Sequence, residues 1–148
     1  MSTPFTLREA VATDAAFIFN SWLKSYRHSA ATAAMQNDLY YSGQHKLIEG
    51  LVSTCKFVIA CNPKDQSQIY GYSVGQMVDE VLCVHFVYTK EPYRKFGLGI
   101  ALLTAQGAKD GVMFCYTHRT HAAQKLEKRF PMLYHPYLAF YGYSKAPK

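Results

Sequence analysis

The sequence has no long hydrophobic run, and its few cysteines are not arranged in pairs. No apolar run in the 148 residues reaches the roughly 20 residues that a membrane-spanning helix needs, so we expect no membrane contact. The first residues show no basic segment leading into an apolar one, so a secretory signal is not expected. Cysteine occurs 4 times without a Cys-x-x-Cys pair, which predicts buried free thiols. These absences favour a cytoplasmic protein.

Internal boundaries and metal motifs are also missing. The chain has no repeat, low-complexity tract or linker, so we expect one domain over residues 1–148. An H-E-x-x-H motif is absent, and the pair His118-x-x-His121 has no third ligand at a suitable spacing, so we expect no metal and assign both histidines to surface or helix-capping roles. The net charge of +6 is spread over separate segments, which indicates a solvated surface and not nucleic-acid binding.

What is present is the hydrophobic pattern of a mixed α/β protein, with 49% hydrophobic residues. The order is strand, two helices, three strands, helix, strand, helix, strand. The predicted strands cover residues 5–8, 56–61, 69–78, 81–88, 112–117 and 138–143. The predicted helices start at Thr13 or Asp14, include residues 47–52, run from Leu98 towards Gly111, and run from Thr120 to Pro131.

The most specific motif lies between strand 81–88 and the helix at Leu98. Residues 94–99 read Arg-Lys-Phe-Gly-Leu-Gly, and two glycines one residue apart permit a tight turn whose backbone N–H groups point outward. With the helix dipole behind them and Arg94 and Lys95 beside them, these groups suit a phosphate-bearing anion. A generic α/β turn can contain the same glycines without a ligand, but a strand apolar on both faces and the helical spacing that follows favour an anion site.

Residues 86–103 resemble the acetyl-CoA signature of the GNAT N-acetyltransferase superfamily. Arg94, Gly97 and Gly99 fill its Arg/Gln-x-x-Gly-x-Gly/Ala positions, whereas Leu occupies the position of the third glycine in a dinucleotide-binding motif. The resemblance implies a mixed, mostly antiparallel central sheet flanked by helices, with acetyl-CoA as co-substrate. It implies a pantetheine-binding strand end and a pyrophosphate-binding loop, formed by Val87, Tyr88, Thr89, Arg94, Lys95, Phe96, Gly97, Leu98 and Gly99.

The resemblance also implies direct transfer of the acetyl group to an amine, with a base that removes the amine proton. His85 is the candidate base, because it lies on the motif strand, where we expect it to share a face with Cys83 and Val87. Asp79 and Glu80, acting through water, remain alternatives.

The acid that protonates the leaving thiolate is harder to assign. Where the family often has an asparagine and a tyrosine, this chain has Arg119 and Leu126, and a hydrocarbon side chain cannot donate a proton. Tyr134 is the candidate acid, with Tyr116 and Tyr88 as alternatives.

Two functions follow from these residues. The first is an acetyl-CoA-dependent N-acetyltransferase that acts on an amine of a protein or a small molecule. The second is a binding module of the same shape, with lost or marginal catalysis, that docks onto another protein. Many members of the superfamily dimerise, so the resemblance also implies a possible homodimer.

Overall fold

The computed structural model describes residues 4–27, 29 and 32–136. The order of elements agrees with the sequence prediction from the first strand to the last helix. The structure then has a strand at residues 132–134 that the sequence did not predict, and the predicted strand at residues 138–143 lies outside the described residues. The elements are β1 (Thr6–Glu9), a short 3₁₀ turn (Ala12–Asp14), α1 (Ala15–Tyr26), α2 (Asn37–Thr54), β2 (Lys56–Asn62), β3 (Asp65–Val78), β4 (Val81–Thr89), a 3₁₀ segment (Glu91–Phe96), α3 (Leu98–Gln106), β5 (Phe114–Tyr116), α4 (His121–Leu126) and β6 (Met132–Tyr134).

The strands form one six-stranded sheet in the order β1-β2-β3-β4-β5-β6. The first three pairs are antiparallel, and the pairs β4–β5 and β5–β6 are parallel. This confirms the mixed, mostly antiparallel sheet. The parallel pairs require crossover connections, which α3 and α4 provide.

Helices cover both faces of the sheet. On one face, α1 and α2 bury Trp22, whose ring stacks on Phe86 of β4 with centroids 4.0 Å apart. On the other face, α3 and α4 pack against Val84 and Val87 of the same strand. Because both faces are covered, β4 is buried along almost its whole length, as its uninterrupted apolar sequence predicts.

A bulge in β4 changes which side chains share a face. Val74 of β3 pairs with Phe86 and Gly75 pairs with Val84, so His85 is the extra residue. Val84 therefore packs on the α3 side, Phe86 on the α1 side, and Val87 again on the α3 side. The expectation that Cys83, His85 and Val87 share one face was wrong, because it assumed an unbroken alternation through His85.

Several predicted helix ends differ from the structure. Helix α3 ends before Gly107, which has a φ of 115° and donates its N–H to the carbonyls of Leu103 and Thr104, so the helix stops four residues before the predicted Gly111. Helix α4 ends at Leu126, well before Pro131. The predicted cap at Thr120 is confirmed, since its Oγ1 accepts the Ala123 N–H at 3.1 Å.

The N-terminus of α1 uses Asp14 in a different way from the one predicted. Instead of capping the helix, the Asp14 carboxylate accepts two hydrogen bonds from the Arg8 guanidinium, at 2.7 and 2.9 Å, and one from the Val11 N–H. These bonds outweigh the effect of burial and hold the pKa of Asp14 below its usual value. The ion pair therefore fixes β1 to the start of α1.

Replacing Asp14 with asparagine is expected to lower the free energy of unfolding by about 2 kcal/mol, because the carboxylate is buried and makes charge-assisted hydrogen bonds. Since folding lowers the Asp14 pKa, its contribution is fully present above about pH 5 and is lost as the pH falls through the folded value. Urea titrations at pH 7 and pH 3 measure both effects. As a control, Asp110→Asn removes the exposed pair with Arg129, and a loss above about 0.5 kcal/mol there would contradict the assignment to burial.

Candidate functional site

The turn between the 3₁₀ segment and α3 depends on the backbone freedom of Gly97. Its φ of 76° lies in the left-handed region, and a Cβ at this position would meet no atom within 4 Å. The requirement for glycine is therefore conformational and not steric. Leu98, the first residue of α3, is fully buried and anchors the helix, so the N–H groups of its first turn are held beside the loop.

Gly99 has a different role, in the packing of α3 against α4. A Cβ at Gly99 would lie 3.2 Å from Cδ1 and 3.3 Å from Cδ2 of Leu126, which is itself buried. The absence of a side chain therefore lets α4 approach the first turn of α3. This contact accounts for a leucine at the position where the resemblance implied a tyrosine acid.

A cavity of about 190 Å³ opens between this turn and α4. Its lining combines the two motif glycines, two cationic side chains, one threonine and three apolar side chains: Thr89, Arg94, Gly97, Gly99, Ile100, Ala122, Lys125 and Leu126. Arg94 Nε donates to the Thr89 carbonyl at 3.3 Å, which ties the loop to the end of β4. Two cations and the N-terminus of α3 make this cavity suitable for a phosphate-bearing group.

Phe96 and Leu98, two other predicted residues of the loop, are not among the residues that line the cavity. The Leu98 side chain is buried in the core, and Phe96 is 39% exposed and lies near the ring of Tyr93, with centroids 5.9 Å apart. Lys95 belongs to the 3₁₀ segment that precedes Gly97. Of the predicted loop, the structure brings Arg94, Gly97 and Gly99 to the cavity.

Beyond the bulge, no strand of the described part of the chain pairs with the edge of β4 that faces β5. The β4–β5 ladder contains Cys83–Cys115 and Val84–Tyr116 and then ends. The Lys90 N–H donates to the Tyr70 carbonyl of β3. Because the backbone groups of successive residues point to alternate sides of a strand, those of Tyr88 also point to β3. The backbone groups of Val87 and Thr89 therefore point to the opposite side. Tyr88 is therefore badly oriented for the predicted backbone pairing with a pantetheine arm.

The Val87 carbonyl already has a partner in this structure. Thr120 Oγ1 donates to it at 3.1 Å, from the N-terminus of α4. Together with the bond from Arg94 to Thr89, this leaves the N–H groups of Val87 and Thr89 as the donors that β4 directs towards the space beside β5.

Comparison with known proteins identifies the fold. No protein-family model and no curated protein sequence matches this chain. A Pyrococcus furiosus protein described as an inferred acetyl transferase aligns over 97% of this chain and 93% of its own, with a TM-score of 0.56 and 18% identity. A GNAT superfamily phosphinothricin acetyltransferase from Sinorhizobium meliloti, solved with AcCoA, aligns over 70% of this chain and 57% of its own, with a TM-score of 0.50 and 20% identity. The chain has the GNAT acetyltransferase fold.

A further structure supports the same fold. A Corynebacterium glutamicum protein named for histone acetyltransferase HPA2 and related acetyltransferases aligns over 69% of both chains, with a TM-score of 0.55 and 16% identity. The motif loop of residues 94–99 therefore lies at the strand-to-helix turn of a GNAT-type sheet, as the sequence resemblance implied.

The candidate base, His85, lies at the bulge of the GNAT-type sheet and is completely buried. Its Nδ1 lies 3.1 Å from Thr117 Oγ1, and among the described residues no atom hydrogen-bonds its Nε2. Burial lowers the pKa of His85 to about 4, so the imidazole is neutral at pH 7. The alternatives Asp79 and Glu80 form the exposed β3–β4 turn, where both have positive φ angles.

The candidate acid, Tyr134, lies in β6, whereas the sequence predicts no strand between the last helix, which ends at Pro131, and residue 138. It pairs with Tyr116 of β5, and the two rings are 5.3 Å apart. Tyr134 is 39% exposed, whereas Tyr116 is buried. Burial raises the pKa of Tyr116 to about 12. Burial also raises the pKa of Tyr88. Of the three tyrosines, Tyr134 has the most accessible hydroxyl-bearing side chain.

Among the described residues, no group of three or more His, Cys, Asp or Glu side chains could hold a metal ion. His118 is buried, contrary to the predicted surface or capping role. Its ring makes edge contacts with Trp22 and Tyr26, at 5.2 and 4.8 Å, and its Nδ1 lies 2.8 Å from Thr117 Oγ1.

None of the described helices is both long and apolar enough to cross a membrane.

Sequence reasoning missed Lys125 and Thr120 as site residues. Lys125 is one of the cations that give the dispersed net charge, to which the sequence analysis assigns no site, and Thr120 is predicted only as a helix cap. The spacing carried part of the signal, because a helix capped at Thr120 places Ala122, Lys125 and Leu126 along one stripe. That this stripe faces α3 depends on the contact between Leu126 and Gly99, which no local pattern indicates.

Replacing Lys125 with alanine is expected to weaken CoA binding by about fivefold, roughly 1 kcal/mol, because one of the cavity's two lining cations is lost. Titration calorimetry at low and high salt measures the change, and the salt dependence of binding becomes shallower in the variant. Lys128→Ala is the matched control, since Lys128 is exposed and does not line the cavity. Equal losses in both variants would indicate general charge attraction and not a local contact.

Proposed function

We propose that this chain is an N-acetyltransferase that moves an acetyl group from acetyl-CoA directly to an amine of a protein or a small molecule. The observation that carries the proposal is the cavity at the start of α3, beside the end of β4. The two motif glycines, Arg94 and Lys125 all line this cavity. A GNAT fold built around such a cavity supports acyl-CoA as the donor substrate.

In the proposed reaction the pyrophosphate occupies this cavity, and the pantetheine arm accepts hydrogen bonds from the N–H groups of Val87 and Thr89. The thioester then lies beside the bulge at His85. As the amine nitrogen bonds to the acetyl carbon, His85 Nε2 takes the proton that the nitrogen loses. The carbon–sulfur bond breaks, and the thiolate receives a proton from the Tyr134 hydroxyl or from water, which yields the amide and free CoA.

The second candidate is a binding module with the same fold and little catalysis. Leu126 favours it, because this buried side chain fills the contact with Gly99 and leaves no hydroxyl on α4 at that position. A thiolate is a good leaving group even without a strong acid, so the missing tyrosine reduces the expected rate without abolishing the reaction. We therefore place the transferase first.

Two measurements on the full-length protein separate these functions. Titration calorimetry with CoA tests the donor site, and absence of binding would refute the transferase. Thiol release from acetyl-CoA is then followed with a polyamine, an aminoglycoside, and peptides with free lysine or N-terminal amines. Acetylated product from any of these acceptors supports the transferase. Tight CoA binding without product from the whole panel supports the binding module.

A further inference from the structure

Two buried histidines contact the same threonine hydroxyl at the bulge of β4. Thr117 Oγ1 lies 3.1 Å from His85 Nδ1, 2.8 Å from His118 Nδ1 and 3.2 Å from the His85 carbonyl oxygen. All three residues are at most 4% exposed. The reaction proposed above uses His85 alone and assigns no role to Thr117 or His118.

Only one distribution of hydrogen atoms among these groups places a hydrogen in each of the three contacts. A threonine hydroxyl has one hydrogen and two lone pairs. The His85 carbonyl can only accept, so the hydroxyl hydrogen goes to it. The two lone pairs of Oγ1 then accept, and both imidazoles must donate from Nδ1. Any other arrangement leaves at least one of the three buried contacts without a hydrogen.

Both imidazoles are suited to this arrangement because both are neutral. Burial lowers the pKa of His85 to about 4 and that of His118 to about 3, so at neutral pH each ring carries a single proton. If that proton is on Nδ1, then Nε2 is a bare lone pair. In His85 this Nε2 atom is buried and has no hydrogen-bond partner among the described residues.

We propose that Thr117 is a positioning residue that fixes His85 as its Nδ1–H tautomer and so keeps the Nε2 lone pair free to accept a proton. His118 supports this because its Nδ1–H donates to the second lone pair of Thr117 Oγ1. The His118 ring is itself held by contacts with Trp22 and Tyr26. The geometric part of the proposal is independent of acetyl transfer, and the use of the lone pair rests on the proposed function.

Long-range ¹H–¹⁵N correlation spectra of the full-length protein, labelled in histidine, test the tautomer directly. His85→Asn assigns the His85 signals by their loss. We expect His85 to show a protonated Nδ1 and a bare Nε2 at neutral pH. A protonated Nε2 in the unmodified protein overturns the proposal, whether or not any variant folds and whether or not the protein transfers acetyl groups.

Variants of Thr117 test its part. Thr117→Val is expected to shift His85 towards the Nε2–H form and to lower kcat by roughly tenfold or more, with the KM for acetyl-CoA unchanged. Thr117→Ser keeps the hydroxyl and is expected to restore both the tautomer and the rate. An unchanged tautomer in the valine variant, or a serine variant that loses the Nδ1–H form, contradicts the role of Thr117. A changed tautomer in the valine variant, with no detectable transfer by the unmodified protein, would refute the proposed function and leave the positioning role intact.

Discussion

Replacing Gly97 with valine is expected to lower the affinity for CoA by about 100-fold, roughly 2.7 kcal/mol. A β-branched residue at a φ of 76° is strongly disfavoured, so the turn must move to another conformation. The N–H groups at the start of α3 then point away from the cavity, and Arg94, three residues earlier, moves with the loop. Titration calorimetry with CoA measures this loss without knowledge of the acceptor.

Gly111 provides a closely matched control for the backbone strain. Its φ is 74°, and a Cβ there would also meet no atom within 4 Å, but it lies in the loop before β5 and does not line the cavity. Gly111→Val is expected to reduce the free energy of unfolding by about as much as Gly97→Val does, and to leave CoA affinity unchanged. If the two variants lose CoA affinity equally, the cavity at α3 is not the pyrophosphate site.

The element order and the motif loop could be predicted because their signals are local. Gly97, Leu98 and the helical spacing after them specify a turn and a helix from consecutive residues. The cap at Thr120 is local in the same way, since its hydroxyl bonds the N–H three residues later. Each of these features involves residues that are near neighbours in the chain.

The bulge at His85 could not be predicted because the sequence of the strand does not distinguish its two faces. Since β4 is covered on both faces, apolar residues occupy both sets of alternating positions, and an inserted residue leaves no break in the pattern. The consequence is large, because every side chain after His85 changes face. The shared hydroxyl of Thr117 was equally hidden, since it joins β4 to a residue 32 positions later in the chain.

Leu126 shows how a resemblance can mislead about one position and remain right about the fold. Alignment with the family identified it as a missing acid. In the structure it is a packing partner of Gly99, and the pair sets the distance between α3 and α4 at the cavity. The sequence alone contains both residues, but their contact depends on how two helices pack side by side on one face of the sheet.

The second large effect is expected at His85. Replacing it with asparagine is expected to lower kcat by about 100- to 1,000-fold, because a positioned base contributes this much to proton transfer. Asparagine retains a donor near the position of Nδ1, so the bond to Thr117 can persist, but it has no atom at the position of Nε2. CoA affinity is expected to remain unchanged, since His85 lies at the bulge and does not line the cavity.

The matched control for this change is His45→Asn, because His45 is an exposed residue of α2 whose Nδ1 pairs with Glu49. Steady-state rates, measured with whichever amine of the panel supports product formation, are expected to be unchanged in this variant. If His85→Asn also keeps its rate while binding CoA normally, the proton leaves the amine by another route, through water towards Asp79 or Glu80. In that case the buried imidazole shapes the bulge, and a base with a pKa of about 4 has no part in the chemistry. A selective loss of kcat, with affinity and folding retained, identifies the Nε2 lone pair as the feature that the reaction needs.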